Sequence, residues 1–375
     1  MTIAEIISRF DYKLRPIISK LPPAIVTKIY SSARKTFINR LSNEIPKNRY
    51  IPSPENNKLL WGIKFSSNIF NAAGMFKYGE GYYTSVAQGA GAYLAGTSTF
   101  LPRKGNEKEG VLHPSIAYPN SLASSNWMGL PNESHEVLAK GLSLIEKIDG
   151  CPVGASIAAS PDETGLDGLV GVLKGIEIFD KAGVDFIELN ESCPNVPHDI
   201  NYDSVTGLDK NLIARLEFIN NNFIKKKKRN LPLIVKLSVD TNINLLPSLL
   251  NILFTLEFDG VNFGNTSTDY ETMKEKISHF DSKNYEYFVS TFGGGLSGRP
   301  LKDRSLTLAS FAVNYAREHP VSTEFHVIRT GGIENSNDIK ISDEKGISLN
   351  QWFTGYFENF AKYGHHLYER LYQES

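Results

Sequence analysis

The sequence predicts an α/β protein, a closed (β/α)8 TIM barrel carrying an N-terminal α-helical extension. Three observations predict it. Short β-rich runs alternate with helical patterns from residue 58 to the C-terminus, which implies a parallel sheet. The runs number eight, the count that closes a barrel. The competing doubly wound sheet wants a GxGxxG turn after its first strand, and that position lacks one.

The first fifty residues differ from the rest. Ile3, Ile7, Phe10, Leu14, Ile17 and Leu21 recur at helical spacing, as do Ile25, Ile29, Ala33, Phe37 and Leu41. The "LPP" at 21–23 separates the two segments, because proline ends one helix and opens the next. Basic residues outnumber Glu5, Asp11 and Glu44 here, as in Arg9, Lys13, Lys20, Lys28 and Lys35. Two readings stay open: a basic amphipathic pair lying on an anionic membrane, or a helical cap packed on the main domain. The stretch "NRYIPSPENN" (48–57) reads as a linker between an extension over 1–50 and a barrel over 58–375.

The eight strands are expected at 68–75, 91–99, 152–159, 186–192, 231–238, 260–265, 325–332 and 347–354. Helices are expected near 79–88, 134–148, 165–183, 210–225, 244–256, 302–318 and 357–373. A long loop follows the second strand. The run "KKKKR" (225–229) reads as the solvated end of a helix.

Composition narrows the function classes. A charged fraction of 22% with 41% apolar residues suits a well-cored globular protein. The net charge of −1 argues against a general nucleic-acid binder. Two cysteines are too few for a disulfide framework, so a reducing, cytoplasmic setting is expected. No apolar run is long enough to cross a bilayer, and no signal-peptide core is visible at the N-terminus. The eight histidines show no ligand spacing, so no metal site is expected.

In such a barrel the active site gathers where the strands end. Those positions hold Ala73, Gly74 and Lys77, then Thr97, Asn126 in the long loop, Ser156, Asn190, Cys193, Asn195, Lys236, Asn265 and Thr266. Glycines follow in "GGGLSG" (293–298) and "RTGG" (329–332), and the last strand ends at Thr354 and Gly355. Glycines there let backbone N–H groups approach an anion, and a phosphate beside the last loops is a recurrent barrel feature. Amides donate and accept at once, so the asparagines with a lysine suit a flat, polar, carboxylated ring. Each is also an ordinary loop residue taken singly; their convergence is the signal. Cys193 has polar flanks, a strand-end position and a following proline that limits its backbone. A thiol so placed is a candidate general base, against the commoner reading of an inert buried thiol. Cys151 has no such company and reads as core.

The stretches "ELNESCPNVP", "NWMGLPN", "GGGLSGRPL" and "TGGI" resemble the dihydroorotate dehydrogenase family from about residue 58 onward. The resemblance implies an FMN enzyme that oxidises dihydroorotate to orotate in pyrimidine synthesis. Cys193 would take the C5 proton. Lys77, Asn126, Asn190, Asn195, Asn265 and Thr266 would hold the substrate. Ala73, Gly74, Thr97, Ser156, Asn190, Lys236, Gly298, Gly331, Gly332, Phe353 and Thr354 would contact FMN, with Lys236 by its pyrimidine edge.

The match is mixed. The cysteine base resembles the soluble class. Gly96 stands where that class has its lysine, and Lys77 in "AAGMFKYGE", like the helix pair, resembles the membrane, quinone-using class. Glu191 stands where an apolar residue is usual, and Arg329 where a glycine often precedes "GGI", either crowding the phosphate loop or pairing with the phosphate. The expected oxidant is a quinone, met at the inner face of the cell membrane if the helix pair touches lipid. Rival readings are a soluble fumarate- or NAD-linked enzyme, another FMN dihydropyrimidine oxidoreductase, and a non-catalytic flavin-binding barrel.

Overall fold

The structure, a computed structural model of the chain, describes residues 1–192, 203 and 206–373. Eight parallel strands make the barrel. They are β1 (Ile69–Asn71), β2 (Tyr93–Ser98), β3 (Val153–Ile157), β4 (Phe186–Asn190), β5 (Leu233–Leu237), β6 (Gly260–Phe263), β7 (His326–Thr330) and β8 (Leu349–Trp352). Their order, β1-β8-β7-β6-β5-β4-β3-β2, is sequential around the barrel. Strands covered on both faces read as continuous apolar runs, and β2, β3 and β5 are buried at every position.

The seam between β1 and β2 is closed mainly outside the regular ladder. Phe76 pairs with Ala95, and Gly74 N–H donates to the Gly96 carbonyl at 2.7 Å. The Asn71 amide stands in for missing backbone partners: Nδ2 donates to Leu94 O at 2.7 Å, and Oδ1 accepts from Leu94 N at 3.3 Å. At the strands' N-terminal end, the hairpin Lys58–Leu60/Ile63–Phe65 plugs the barrel, and Trp61 Nε1 donates to Asp259 O just before β6.

Three expectations needed revision. The long loop after β2 contains a hairpin, Ser115–Tyr118 with Ala123–Asn126, extended by Gly295–Gly298 into a three-stranded antiparallel sheet. A helix at Ser336–Glu344, started by an Asn335/Asp338 capping box, lies between β7 and β8 where none was assigned. The helix expected near 357–373 begins earlier and breaks into Thr354–Tyr363 and Leu367–Gln373 around Gly364. A Cβ at Gly364 would lie 2.1 Å from the Glu5 carboxylate, so the break makes room for the N-terminal extension.

That extension is two helices, α1 (Ile3–Ile18) and α2 (Pro23–Ser42). Thr2 and Glu5 form a capping box at the start of α1, and α2 opens on Pro23. Both helices pack on the barrel. Glu5 accepts from His365 N at 3.2 Å, Arg15 is bonded to Glu358, and Ser31 Oγ both accepts from Ser115 N and donates to its carbonyl. The face of α1 that packs holds Ala4, Glu5, Ser8 and Arg15. The apolar stripe of Ile3, Ile6, Ile7, Phe10 and Ile17 faces outward instead, with Phe10 and Ile17 each 64% exposed. Arg9, Lys13, Lys20, Lys28 and Lys35 are exposed on the same helix pair.

Candidate active site

The C-terminal ends of the strands open into one cavity of about 760 Å³. Its walls gather most of the residues singled out in the sequence. Lys77, Asn126, Asn190, Asn265 and Thr266 line it, as do Ala73, Gly74, Thr97, Lys236, Gly298, Gly331, Gly332, Phe353 and Thr354. Ser156 stands one shell back: its Oγ shares a 2.9 Å hydrogen bond with Thr97 Oγ1. Cys193 and Asn195 lie outside the described residues. Cys151 is buried in the core below, and burial pushes its thiol pKa up.

The residues expected to hold a substrate are linked to one another. Asn190 Nδ2 donates to Thr97 Oγ1 at 3.2 Å, and Asn190 Oδ1 accepts from Asn265 Nδ2 at 3.0 Å. The same Asn265 amide donates to Ser192 O, again at 3.0 Å, and so ties the end of β4 to the β6 loop immediately before Cys193. Thr266 Oγ1 is buried and has no hydrogen-bond partner among the described residues. A buried hydroxyl left so is a place for a ligand atom. Lys77 is presented by a loop that Glu80 braces, accepting from Lys77 N and Tyr78 N, and its ammonium is bonded to the Pro131 carbonyl.

Gly96 has φ +105°, and a Cβ there would lie 2.4 Å from the Ser156 carbonyl oxygen. A side chain at this position has no room, and Lys77, on the loop after β1, lines the cavity.

At the opposite end, hydroxyls and glycines converge. Ser124, Ser297 and Thr354 share hydrogen bonds of 2.9–3.2 Å, and Thr354 begins a helix whose free N–H groups favour an anion. Gly298 and Gly331 have φ of +101° and +125°, and a Cβ at Gly298 would lie 2.4 Å from the Leu122 carbonyl oxygen, so both line the cavity with bare backbone. These residues fit a flavin mononucleotide: a glycine and hydroxyl cradle for phosphate, and amides and a lysine for a polar ring. No group of three or more His, Cys, Asp or Glu able to hold a metal occurs among the described residues.

Neither expectation for Arg329 is met. Its buried guanidinium points into the helix layer, donating to Ser305 Oγ, Ser342 Oγ and the carbonyls of Lys302 and Asp338. Burial lowers its pKa to about 10, which leaves it charged at neutral pH. It braces the wall behind the glycine loop. Glu191 has a similar answer, since its buried carboxylate pairs with Arg215 at 2.7 Å. The Glu191 charge raises the Arg215 pKa in turn. Glu191→Leu should therefore destabilise the fold by about 3 kcal/mol, because it strands Arg215, while Glu191→Leu with Arg215→Leu should recover most of the loss. Chemical denaturation of the three proteins checks this.

Three features were not anticipated. The ends of β4 to β8 surround a buried polar ring of Glu188, Lys236, Asn262, Thr330 and Gln351. Of these the sequence singles out only Lys236, because the others sit inside apolar-looking strands. The cavity also runs outward between the extension and the barrel, past Ile7, Asp11 and Arg15 of α1 and Tyr30, Arg34 and Phe37 of α2. Arg34 donates to the Gly74 carbonyl at 2.8 Å, and burial lowers its pKa to about 10 with no carboxylate pairing it among the described residues.

A family model described as dihydroorotate dehydrogenase matches residues 57–373. A protein named dihydroorotate dehydrogenase (quinone) from Nautilia profundicola is 27% identical over 354 residues, 92% of this chain and 87% of the relative. One of the same name from Nitrosospira multiformis is 25% identical over 344 residues, 91% of this chain and 90% of its own. Among solved structures, DHODH from Eimeria tenella in complex with ferulenol superposes with a TM-score of 0.72 at 20% identity, covering 92% of this chain and 89% of that one. The fold is thus shared, and the chain belongs to the dihydroorotate dehydrogenase family.

Proposed function

We propose that this chain oxidises (S)-dihydroorotate to orotate with FMN as hydride acceptor, in de novo pyrimidine biosynthesis, and delivers the electrons to a quinone at the inner face of the cell membrane. The observation that carries the reading is the continuity of the strand-end cavity. It joins Lys77 and the strand-end amides at one side to α1 and α2 at the other. Curated relatives that align along nearly the whole chain are named for quinone.

FMN, when bound, supplies the acceptor for the hydride leaving C6. The remaining work falls to side chains of the protein. Lys77 provides a cation for the substrate carboxylate, and Asn126, Asn190, Asn195, Asn265 and Thr266 take the ring's N–H and C=O groups. Cys193 follows Ser192, whose carbonyl is anchored by Asn265, and removes the C5 proton. Lys236 brings positive charge to the ring edge where negative charge accumulates. The glycine and hydroxyl cradle takes the phosphate.

The outer half of the cavity suits an apolar, carbonyl-bearing acceptor. Ile7, Phe37 and Phe357 give it apolar walls, and Arg34 brings a shielded cation beside Gly74. Ile7 both lines the cavity and belongs to the exposed stripe of α1, so the cavity meets the surface where lipid would lie. No helix among the described residues is long and apolar enough to cross a membrane, which leaves surface attachment as the mode proposed.

The test is an anaerobic mix of purified protein with dihydroorotate, followed by oxidised-flavin absorbance. Rapid bleaching, reversed by a quinone and not by fumarate or NAD, is the expected result. Yellow protein that does not bleach would refute the substrate, and protein that takes up no FMN would refute the reading as a whole.

A further inference from the structure

We propose that Glu188 is a positioning residue: it fixes the ammonium of Lys236 and partly offsets its charge, and so sets how readily a flavin in this cavity accepts electrons. The inference rests on the placing of Lys236 beside the flavin given above. Glu188 lies inside β4, is 1% exposed and does not line the cavity, so it touches neither substrate nor cofactor. Its carboxylate accepts from Asn262 Nδ2 at 2.8 Å, Gln351 Nε2 at 2.7 Å and Lys236 Nζ at 3.2 Å. Those donors come from β6, β8 and β5. Thr330 of β7 completes the ring, its one hydroxyl proton shared between Asn262 Oδ1 and Gln351 Oε1. Lys236 does face the cavity, so the pair presents its positive end there with a carboxylate directly behind.

Stability does not account for this arrangement. Barrel interiors are filled by branched apolar side chains, and exchanging a buried ion pair for well-packed apolar residues is often neutral or stabilising. What the ring does provide is a lysine with one allowed position and a charge that its partner moderates. In a water-poor interior both charges are felt by a neighbouring ring. An unpaired ammonium would favour the electron-rich, reduced ring more strongly than the paired one does. Removing the charge of Glu188 therefore raises the flavin midpoint potential.

The experiment is a potentiometric titration of flavin-loaded protein against a reference dye at fixed pH, with flavin content and circular dichroism recorded for each variant. Glu188→Gln, nearly isosteric, is expected to move the ratio of reduced to oxidised flavin at least tenfold toward reduced, about 30 mV for a two-electron couple. Glu188→Asp keeps the charge but withdraws it from Nζ, and is expected to move the ratio the same way by less. It carries the test alone if Glu188→Gln does not fold. Lys236→Gln should move the ratio in the opposite direction. A flavin-loaded, folded Glu188 variant with an unmoved midpoint, or one shifted toward oxidised, overturns the inference. A wild-type chain that takes up no flavin sinks the site assignment itself, so the two failures are told apart by the first spectrum.

Discussion

Cys193→Ala is expected to slow reduction of bound flavin by dihydroorotate about 10²- to 10⁴-fold, the usual worth of a positioned general base. The C5 proton of the substrate is held firmly, and without the thiolate only water or a distant group can accept it. Orotate affinity should stay within a few-fold of wild type, because Lys77 and the asparagines are untouched. Stopped-flow bleaching and an orotate titration of the flavin spectrum separate the two. Parallel loss of bleaching and of orotate binding would mean that the loop has collapsed and the thiol's role is structural. Cys193→Ser should recover part of the rate and shift its optimum to higher pH, since an alcohol surrenders its proton less readily than a thiol.

The second large effect concerns the outward stripe of α1. Phe10→Ser with Ile17→Ser is expected to weaken binding to vesicles containing anionic lipid at least tenfold. Each side chain, when buried, contributes roughly 1.5–3 kcal/mol, and both are 64% exposed in the isolated chain. Turnover with a long-tailed quinone embedded in those vesicles should fall in step. Turnover with a short, water-soluble quinone and bleaching by dihydroorotate should not change. Co-sedimentation and the two assays check it, and unchanged vesicle binding would return α1 to the role of a packed cap. The lysines and arginines beside the stripe predict in addition that attachment weakens as salt rises.

Much of this architecture is written in local pattern. The eight β runs, the break at "LPP" and the strand-end asparagines each follow from a period or a residue type at a fixed place. What escaped notice depends on distant partners. The hairpin Ser115–Tyr118/Ala123–Asn126 is serine-rich, weakly alternating, and completed by a strand some 170 residues later. Glu188 is one acidic residue in a run otherwise apolar, and its donors come from three other strands. Arg329 shows the reverse error. Sequence position placed it beside a phosphate loop, but strand side chains alternate in direction, and its turn is outward into the helices. The same ambiguity held for α1, where a helical stripe gives a face but not which face meets the barrel.

The tight approach at Gly96 bears on ancestry. A lineage could not move the cation proposed for the substrate from the β1 loop to the end of β2 by exchanging one residue, because any side chain at 96 would first collide with the Ser156 carbonyl. The backbone of two neighbouring strands would have to move before a lysine there became useful, and until then Lys77 could not be given up.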